Sequence, residues 1–313
     1  MTSTHTSVLK LGTRGSALAL TQAQLVTDAL VDQGVEVERT IIRTTGDQST
    51  AANFADIGPQ GVFVREIEQA LLEGQIDLAV HSYKDLPTRS PAGLVISAVP
   101  TRADPADVLL IRNEALATED RFMPIRHGGR IGTSSARRRA WIRHFRSDLA
   151  VEPLRGNVPT RLGRLRDGDY DAIVLAGAGL ERLRAAESLL DPLLVDVTTF
   201  RLDPDRFVPA PSQGAIAVQC RENDGALLAT LAAIEDRSSR IVVAIERAAL
   251  ARAEGGCDVA FGAYCTVVGQ SYTLTTMLER SGQVHTATLT SREPGTLGER
   301  GWSMLEREFS ESP

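Results

Sequence analysis

The sequence predicts an α/β protein of two echoing lobes followed by a smaller α+β domain, and three observations carry that prediction. The short strand Val8–Leu11 and, in the second lobe, Arg130-Ile131 each run through a small-residue turn into a helix. The turns are Gly12-Thr13-Arg14-Gly15-Ser16 and Gly132-Thr133-Ser134-Ser135-Ala136. Later in each lobe, residues 74–80 and 168–174 agree in their Gly, Asp and Val positions: Gly74, Asp77, Val80 and Gly168, Asp171, Val174. Beyond about Glu235 the pattern changes to a helix, three strands and a closing helix. At 313 residues the chain has room for two or three domains of ordinary size.

In chain order, Val8–Leu11 reads as a buried strand and Ala17–Leu30 as a helix with an apolar face at Leu18, Ala19, Val26, Ala29 and Leu30. A strand, a glycine turn and a helix N-terminus together favour an anion. Val35–Ile42 is a second strand leading into the turn Thr44-Thr45-Gly46-Asp47. Gly58-Pro59-Gln60-Gly61 has the composition of a mobile loop, and Val62–Leu72 is amphipathic. Asp77–His81 reads as a buried parallel strand running into Ser82-Tyr83-Lys84-Asp85, and the carboxyl end of such a strand is where open α/β sheets place ligands. Leu94–Val99 completes the set, and Asp104-Pro105 is the crossover into the second lobe. There Asp107–Ile111 starts a strand, Arg137-Arg138-Arg139 opens a helix, and Val151–Asn157 runs into a helix holding Arg161, Arg164 and Arg166. Phe207–Gln219 returns the chain to the first lobe. A helix over 240–254 then stops at Gly255-Gly256, with Cys257 immediately after, before strands 259–268, 272–278 and 284–290 and a helix over 296–309.

Composition excludes several classes. No run approaches the roughly 20 apolar residues of a membrane span, and the first seven residues lack the blocks of a signal peptide. Cys220, Cys257 and Cys265 are too few, and odd in number, for a disulfide framework, and they show no metal spacing; a reducing cytoplasm fits. The net charge of −6 argues against a general nucleic-acid binder. Of 34 basic residues only Lys10 and Lys84 are lysines, and arginines crowd between Arg130 and Arg166. Locally cationic surface on an acidic protein points to a small anion.

Asp85 shares one short segment with His81, Ser82 and Lys84. A lone Asp there caps a turn; this density of ionisable groups gives a catalytic role equal weight. His81 is a candidate base, against the commoner fate of a packed strand histidine. Arg14, Arg137, Arg138, Arg155, Arg161 and Arg182 are read at strand ends or first helical turns, while Arg139, Arg143, Arg146, Arg164 and Arg166 read as solvated. Guanidinium forks bind carboxylates in pairs of hydrogen bonds, so arginines converging on a cleft between lobes suit a ligand with many carboxylates. Cys257 reads either as a small buried hydrophobe or as a covalent attachment point, and no neighbouring His supports a protease-like dyad.

Taken together, residues 12–16, 81–87, 132–135 with Arg137-Arg138, 154–157 with Thr160-Arg161, 213–215 and 254–257 make the chain resemble the porphobilinogen deaminase (hydroxymethylbilane synthase) family over nearly its whole length. The resemblance implies two lobes like those of periplasmic binding proteins, residues 1–103 with 209–232 and residues 104–208, and a third domain over 235–313. It implies a dipyrromethane cofactor joined to Cys257 by a thioether. On it four porphobilinogen molecules are condensed stepwise with loss of ammonia, and the linear hydroxymethylbilane is released for tetrapyrrole and heme synthesis. Asp85 would assist departure of the amine and stabilise the cationic methylenepyrrolenine that follows. Arg14, Ser16, Ser82, Lys84, Ser135, Arg137, Arg138, Arg155, Arg161, Arg182 and Gln213 would hold the acetate and propionate groups. The resemblance also favours a monomer, beside the composition's reading of a cytoplasmic protein without metal, nucleic acid or membrane.

The chain departs from the family pattern at Asp56 and Gln60, where lysines are usual, and at Ala260, where a proline is usual. Two other readings stay open at this point: a two-lobed binding protein for a carboxylated small molecule, and a paralogue that binds tetrapyrroles without turnover.

Overall fold

The first lobe begins with β1 (Leu9–Thr13), the helix α1 (Ala17–Val31) and β2 (Val37–Ile41), followed by α2 (Arg65–Leu72), β3 (Leu78–Ser82) and β4 (Leu94–Ala98). This is a computed structural model, and it describes residues 8–43, 64–117, 122–186, 188–253 and 260–310. The expected mobile loop at 58–61, the Asp47 turn, Asp56, Gln60 and the Gly255-Gly256-Cys257 tip lie outside the described residues. Ser16 caps α1, its hydroxyl accepting from the Ala19 amide at 3.3 Å. The buried face of α1 is Gln22, Ala23, Val26 and Leu30, a helical stripe that packs with Leu9, Leu11, Leu78 and Val80. Each such fully buried leucine contributes about 1.5–3 kcal/mol.

The second lobe holds β5 (Asp107–Arg112), β6 (Arg130–Gly132), α3 (Ala136–Phe145), β7 (Ala150–Glu152), α4 (Val158–Arg166), β8 (Ala172–Ala176), α5 (Gly177–Ala186) and β9 (Val197–Arg201). The chain then returns as β10 (Ile216–Arg221) and α6 (Gly225–Leu231). The first sheet has the order β2-β1-β3-β10-β4 and the second β7-β6-β8-β5-β9. Strand for strand these are one topology. In each, three parallel strands meet a fourth that runs antiparallel to its neighbours. The echo seen in the sequence extends to register: Gly12 lies opposite Ala79, and Gly132 opposite Ile173. The strand through His81 differs from expectation in one respect, being parallel to β1 on one side and antiparallel to β10 on the other.

The remaining elements are α7 (Arg237–Ala253), the antiparallel sheet β11 (Phe261–Val268), β12 (Ser271–Arg280) and β13 (Gln283–Ser291), and α8 (Leu297–Ser310). Two compact units result: Met1–Ala103 with Ala215–Arg240, and Asp104–Gly214 with Ile241–Pro313. In the second unit, Gly298 lets α8 lie directly on α7. A Cβ there would fall on the Ile245 carbonyl oxygen and within 2.7 Å of the Ala248 Cβ. Gly298→Ala is therefore expected to destabilise the protein by about 1–3 kcal/mol, because helix backbone cannot yield as a flexible side chain can. A denaturant midpoint unchanged from wild type would contradict that packing.

Buried polar groups tie down the segment that leads out of the second lobe. Glu246 on α7 is completely buried and accepts from the amides of Ser212 at 2.7 Å and Cys265 at 2.9 Å. Ser212 sits at φ 64°, in the left-handed region, so its backbone is held there by its partners. Cys220 and Cys265 are buried free thiols. Among the described residues no helix is long and apolar enough to cross a membrane, and no group of His, Cys, Asp or Glu could hold a metal ion.

Candidate functional site

In the first unit the turn after β1 and the turn after β3 open on one small cavity of about 90 Å³. Arg14, Ser16, Gln22, His81, Ser82 and Asp85 supply its polar wall, and Leu18, Val64, Val80 and Leu86 its apolar one. The alternation of β3 explains the arrangement. Val80 and Ser82 point toward α1, where Gln22 donates from Nε2 to the Ser82 hydroxyl at 2.9 Å. Ala79 and His81 point the other way. A single turn of 3-10 helix, Tyr83–Asp85, then ends the strand and leaves the Asp85 carboxylate exposed while Tyr83 and Leu86 are buried. The sequence placed Arg14, Ser16, Ser82 and Asp85 at strand ends, and the structure brings them to one wall. Lys84 is half-buried in the same turn and is not part of that wall. Gln22 escaped the sequence reading; its one signal is its place on the otherwise apolar face of α1.

Burial holds the His81 imidazole at a pKa of about 4, only partly offset by the neighbouring Gln219 amide. The ring is neutral near pH 7, so the reading of His81 as packed prevails over that of a base working at neutral pH.

In the second unit the arginines separate into two kinds. Arg137 and Arg138, in the first turn of α3, are buried against a single carboxylate, Asp107. Arg138 donates to Asp107 Oδ1 from Nε at 3.1 Å and Nη2 at 2.7 Å, and to the Val174 carbonyl from Nη1 at 3.0 Å. Arg137 places Nη1 2.8 Å from Asp107 Oδ2 and 2.9 Å from the Val208 carbonyl. Gln213 adds a donor to Asp107 Oδ1 at 2.9 Å. Burial alone would push the Asp107 carboxyl up; the two guanidiniums outweigh it and hold that carboxyl well below the usual range. Ser135 caps the same helix, accepting from the Arg138 amide.

Two buried cations against one carboxylate leave the cluster short of an anion, and the Arg137 Nε hydrogen has no acceptor. A ligand carboxylate is the group that would satisfy both deficits, so these residues fit a cofactor rich in carboxylates.

The other arginines lie nearer solvent. Arg155 is exposed beside Gly156, whose φ of 107° turns the chain, and Arg161 in the first turn of α4 donates to the Gly156 carbonyl at 2.7 Å. Arg182 sits in the middle of α5 rather than in a first turn, donates to the Gly214 carbonyl at 2.7 Å and is lowered in pKa by burial. Arg146, read from the sequence as solvated, is pinned by Asp148 and by the carbonyls of Met123 and Ile125. Asp107 was missed as a site residue. Its sequence signal is a charged residue opening an otherwise apolar strand.

Comparison with known proteins bears on the whole chain. Residues 9–229 match the family model described as porphobilinogen deaminase, dipyromethane cofactor binding domain. Similar curated proteins named porphobilinogen deaminase include that of Mycobacterium leprae, 46% identical over 83% of this chain and 78% of its own. Those of Streptococcus sanguinis (41%; 95% of both chains) and Bacillus subtilis (40%; 93% and 90%) are also similar. Among solved structures, the periplasmic VFT2 domain of Bordetella pertussis BvgS is 14% identical, with a TM-score of 0.43, over 72% of this chain and 86% of that one.

Proposed function

The chain belongs to the porphobilinogen deaminase family, and from that premise we propose which of its residues carry the family's reaction. It is a hydroxymethylbilane synthase, a transferase of tetrapyrrole biosynthesis that condenses porphobilinogen on a dipyrromethane cofactor.

Asp85 is the catalytic carboxylate. The observation that carries this role is its exposure, at the end of a buried strand, on a cavity wall shared with Arg14, Ser16 and Ser82. When the aminomethyl C–N bond of porphobilinogen breaks, ammonia leaves and the remaining pyrrole gains positive charge. An Asp85 carboxylate beside the pyrrole N–H stabilises that charge and, by holding the substrate's ammonium, assists its departure as ammonia. Arg14, Ser16, Ser82 and Lys84 in one unit, and Ser135, Arg137, Arg138, Arg155, Arg161, Arg182 and Gln213 in the other, orient the acetate and propionate groups. The anion deficit at Arg137 and Arg138 supports that assignment.

Cys257 is the attachment point: it anchors the dipyrromethane, which when bound presents the pyrrole carbon to which the first substrate is joined. The three-domain division, with Cys257 in 235–313, belongs to the same proposal. So does a monomer in the cytoplasm with no nucleic-acid partner, a reading supported by the few cysteines and the net charge of −6. Intact-protein mass tests the tether. Wild-type protein made with porphobilinogen available is expected to weigh more than its polypeptide by one dipyrromethane, and Cys257→Ala to show the bare polypeptide mass. An unmodified wild-type protein would sink the proposal.

A further inference from the structure

Behind the cavity wall lies a chain of buried polar side chains that the proposed reaction does not use. His81 on β3 and Gln219 on β10 share one face of the first sheet: His81 lies opposite Ala217, and Gln219 two residues further along β10, opposite Ala79. That face is covered by α2, whose Ile67, Ala70 and Leu71 pack with Ala79, and whose Glu68 reaches Gln219. Gln219 is fully buried, and both Glu68 and His81 are more than nine-tenths buried.

The Gln219 amide donates from Nε2 to Glu68 Oε1 at 3.1 Å. Its Oε1 has no partner, and neither does His81 Nε2. These two atoms are an acceptor and a potential donor on one face. The neighbouring Gln219 side chain favours the protonated ring, although these two atoms have no hydrogen-bond partner. Leaving a buried donor or acceptor unpaired is unfavourable. A hydrogen bond between the two would satisfy both.

The direction of each bond then follows from the donors available. An ionised carboxylate only accepts, so Glu68 requires the amide to present its NH₂. The amide oxygen must then face His81, and it accepts only if the ring proton is on Nε2. Nδ1 is left with its lone pair. We propose that Glu68, acting through Gln219, sets the tautomer of His81, so that the cavity wall beside Ser82 and Asp85 carries a neutral histidine whose free acceptor is Nδ1. This rests on the assignment of the cavity as the substrate site, where porphobilinogen brings a pyrrole N–H and an ammonium, both donors that an imidazole lone pair can orient. Glu68 and Gln219 are positioning residues: they act through His81 and do not line the cavity. Burial raises the Glu68 carboxyl and lowers His81, so the relay holds a single negative charge at most and none on the ring.

The test is long-range proton–nitrogen correlation NMR on holoprotein labelled with ¹⁵N-histidine, with His81→Asn used only to assign the signal. Wild type is expected to show a neutral His81 with its proton on Nε2. Gln219→Leu is expected to give a mixture of tautomers and to lower kcat on the order of tenfold, with KM within about twofold. Glu68→Gln, which can donate or accept, is expected to show a smaller change in the same direction. A wild-type ring protonated on Nδ1 overturns the relay, as does a Gln219→Leu protein with unchanged tautomer and kcat. If Gln219→Leu does not fold, the wild-type spectrum alone decides. Because the tautomer is read without turnover, failure here is distinguishable from failure of Asp85 as the catalytic residue.

Discussion

Asp85→Ala is expected to lower turnover by about 10²–10⁴-fold while leaving the protein folded. The two halves of that expectation have separate structural grounds. Asp85 is exposed in its turn, and its neighbours Tyr83 and Leu86, not its own side chain, fasten that turn to the lobe. Removing an exposed carboxylate changes stability by about 0.5 kcal/mol or less. On the proposed role, the chemistry, by contrast, loses the anion that faces the developing cation. Steady-state assay of product formation, alongside a denaturation curve, checks both. Near-wild-type kcat in a folded Asp85→Ala protein would remove Asp85 from the mechanism. Asp85→Glu, which keeps the charge but displaces it by one methylene, is expected to fall between the two.

Asp107→Asn is expected to cost about 3–5 kcal/mol of stability, the most damaging single change among the site residues, although Asp107 is nowhere at the surface. The amide keeps the shape of the carboxylate but removes its charge, stranding Arg137 and Arg138 together in a buried site. The pH dependence can be signed. The folded-state pKa of Asp107 lies below the unfolded value of about 3.9, so the carboxylate's contribution is fully present above that value. It is lost only as pH falls through the lower, folded value. The stability gap between wild type and Asp107→Asn should therefore be flat from about pH 5 to 8 and narrow only in stronger acid. Chemical denaturation at several pH values reads the gap. A variant as stable as wild type at neutral pH would show that the two guanidiniums do not depend on Asp107.

Local pattern carried most of the fold into view. Strand, turn and helix repeat at residues 9–31 and again at 130–145, and the Gly-Asp-Val spacing at 74–80 and 168–174 marks the same strand of two sheets. Those signals lie within about ten residues of one another and depend only on periodicity and turn chemistry. Asp85, Arg14, Ser16 and Ser82 were legible for the same reason, standing where strands end. What escaped notice was set by pairing across long stretches of chain. Asp107 meets Arg138 over 31 positions and Gln213 over 106. Gln219 meets Glu68 over 151 positions. No local period encodes such contacts, and an arginine looks the same in sequence whether it faces water or a buried carboxylate. Arg146 was misjudged on that account.

The place of β10 inside the first sheet, between β3 and the edge strand β4, bears on how the chain comes to fold. On a ribosome the first lobe appears first but lacks an inner strand until Ile216–Arg221 emerge, so β3 and β4 wait with open edges and unburied apolar faces. The second lobe's sheet is drawn entirely from residues 107–201 and can close while the first is still incomplete. Assembly is thus expected to run against the order of synthesis, the later lobe maturing before the earlier one. During that interval the half-built first sheet is the part of the protein most exposed to chaperones and to aggregation.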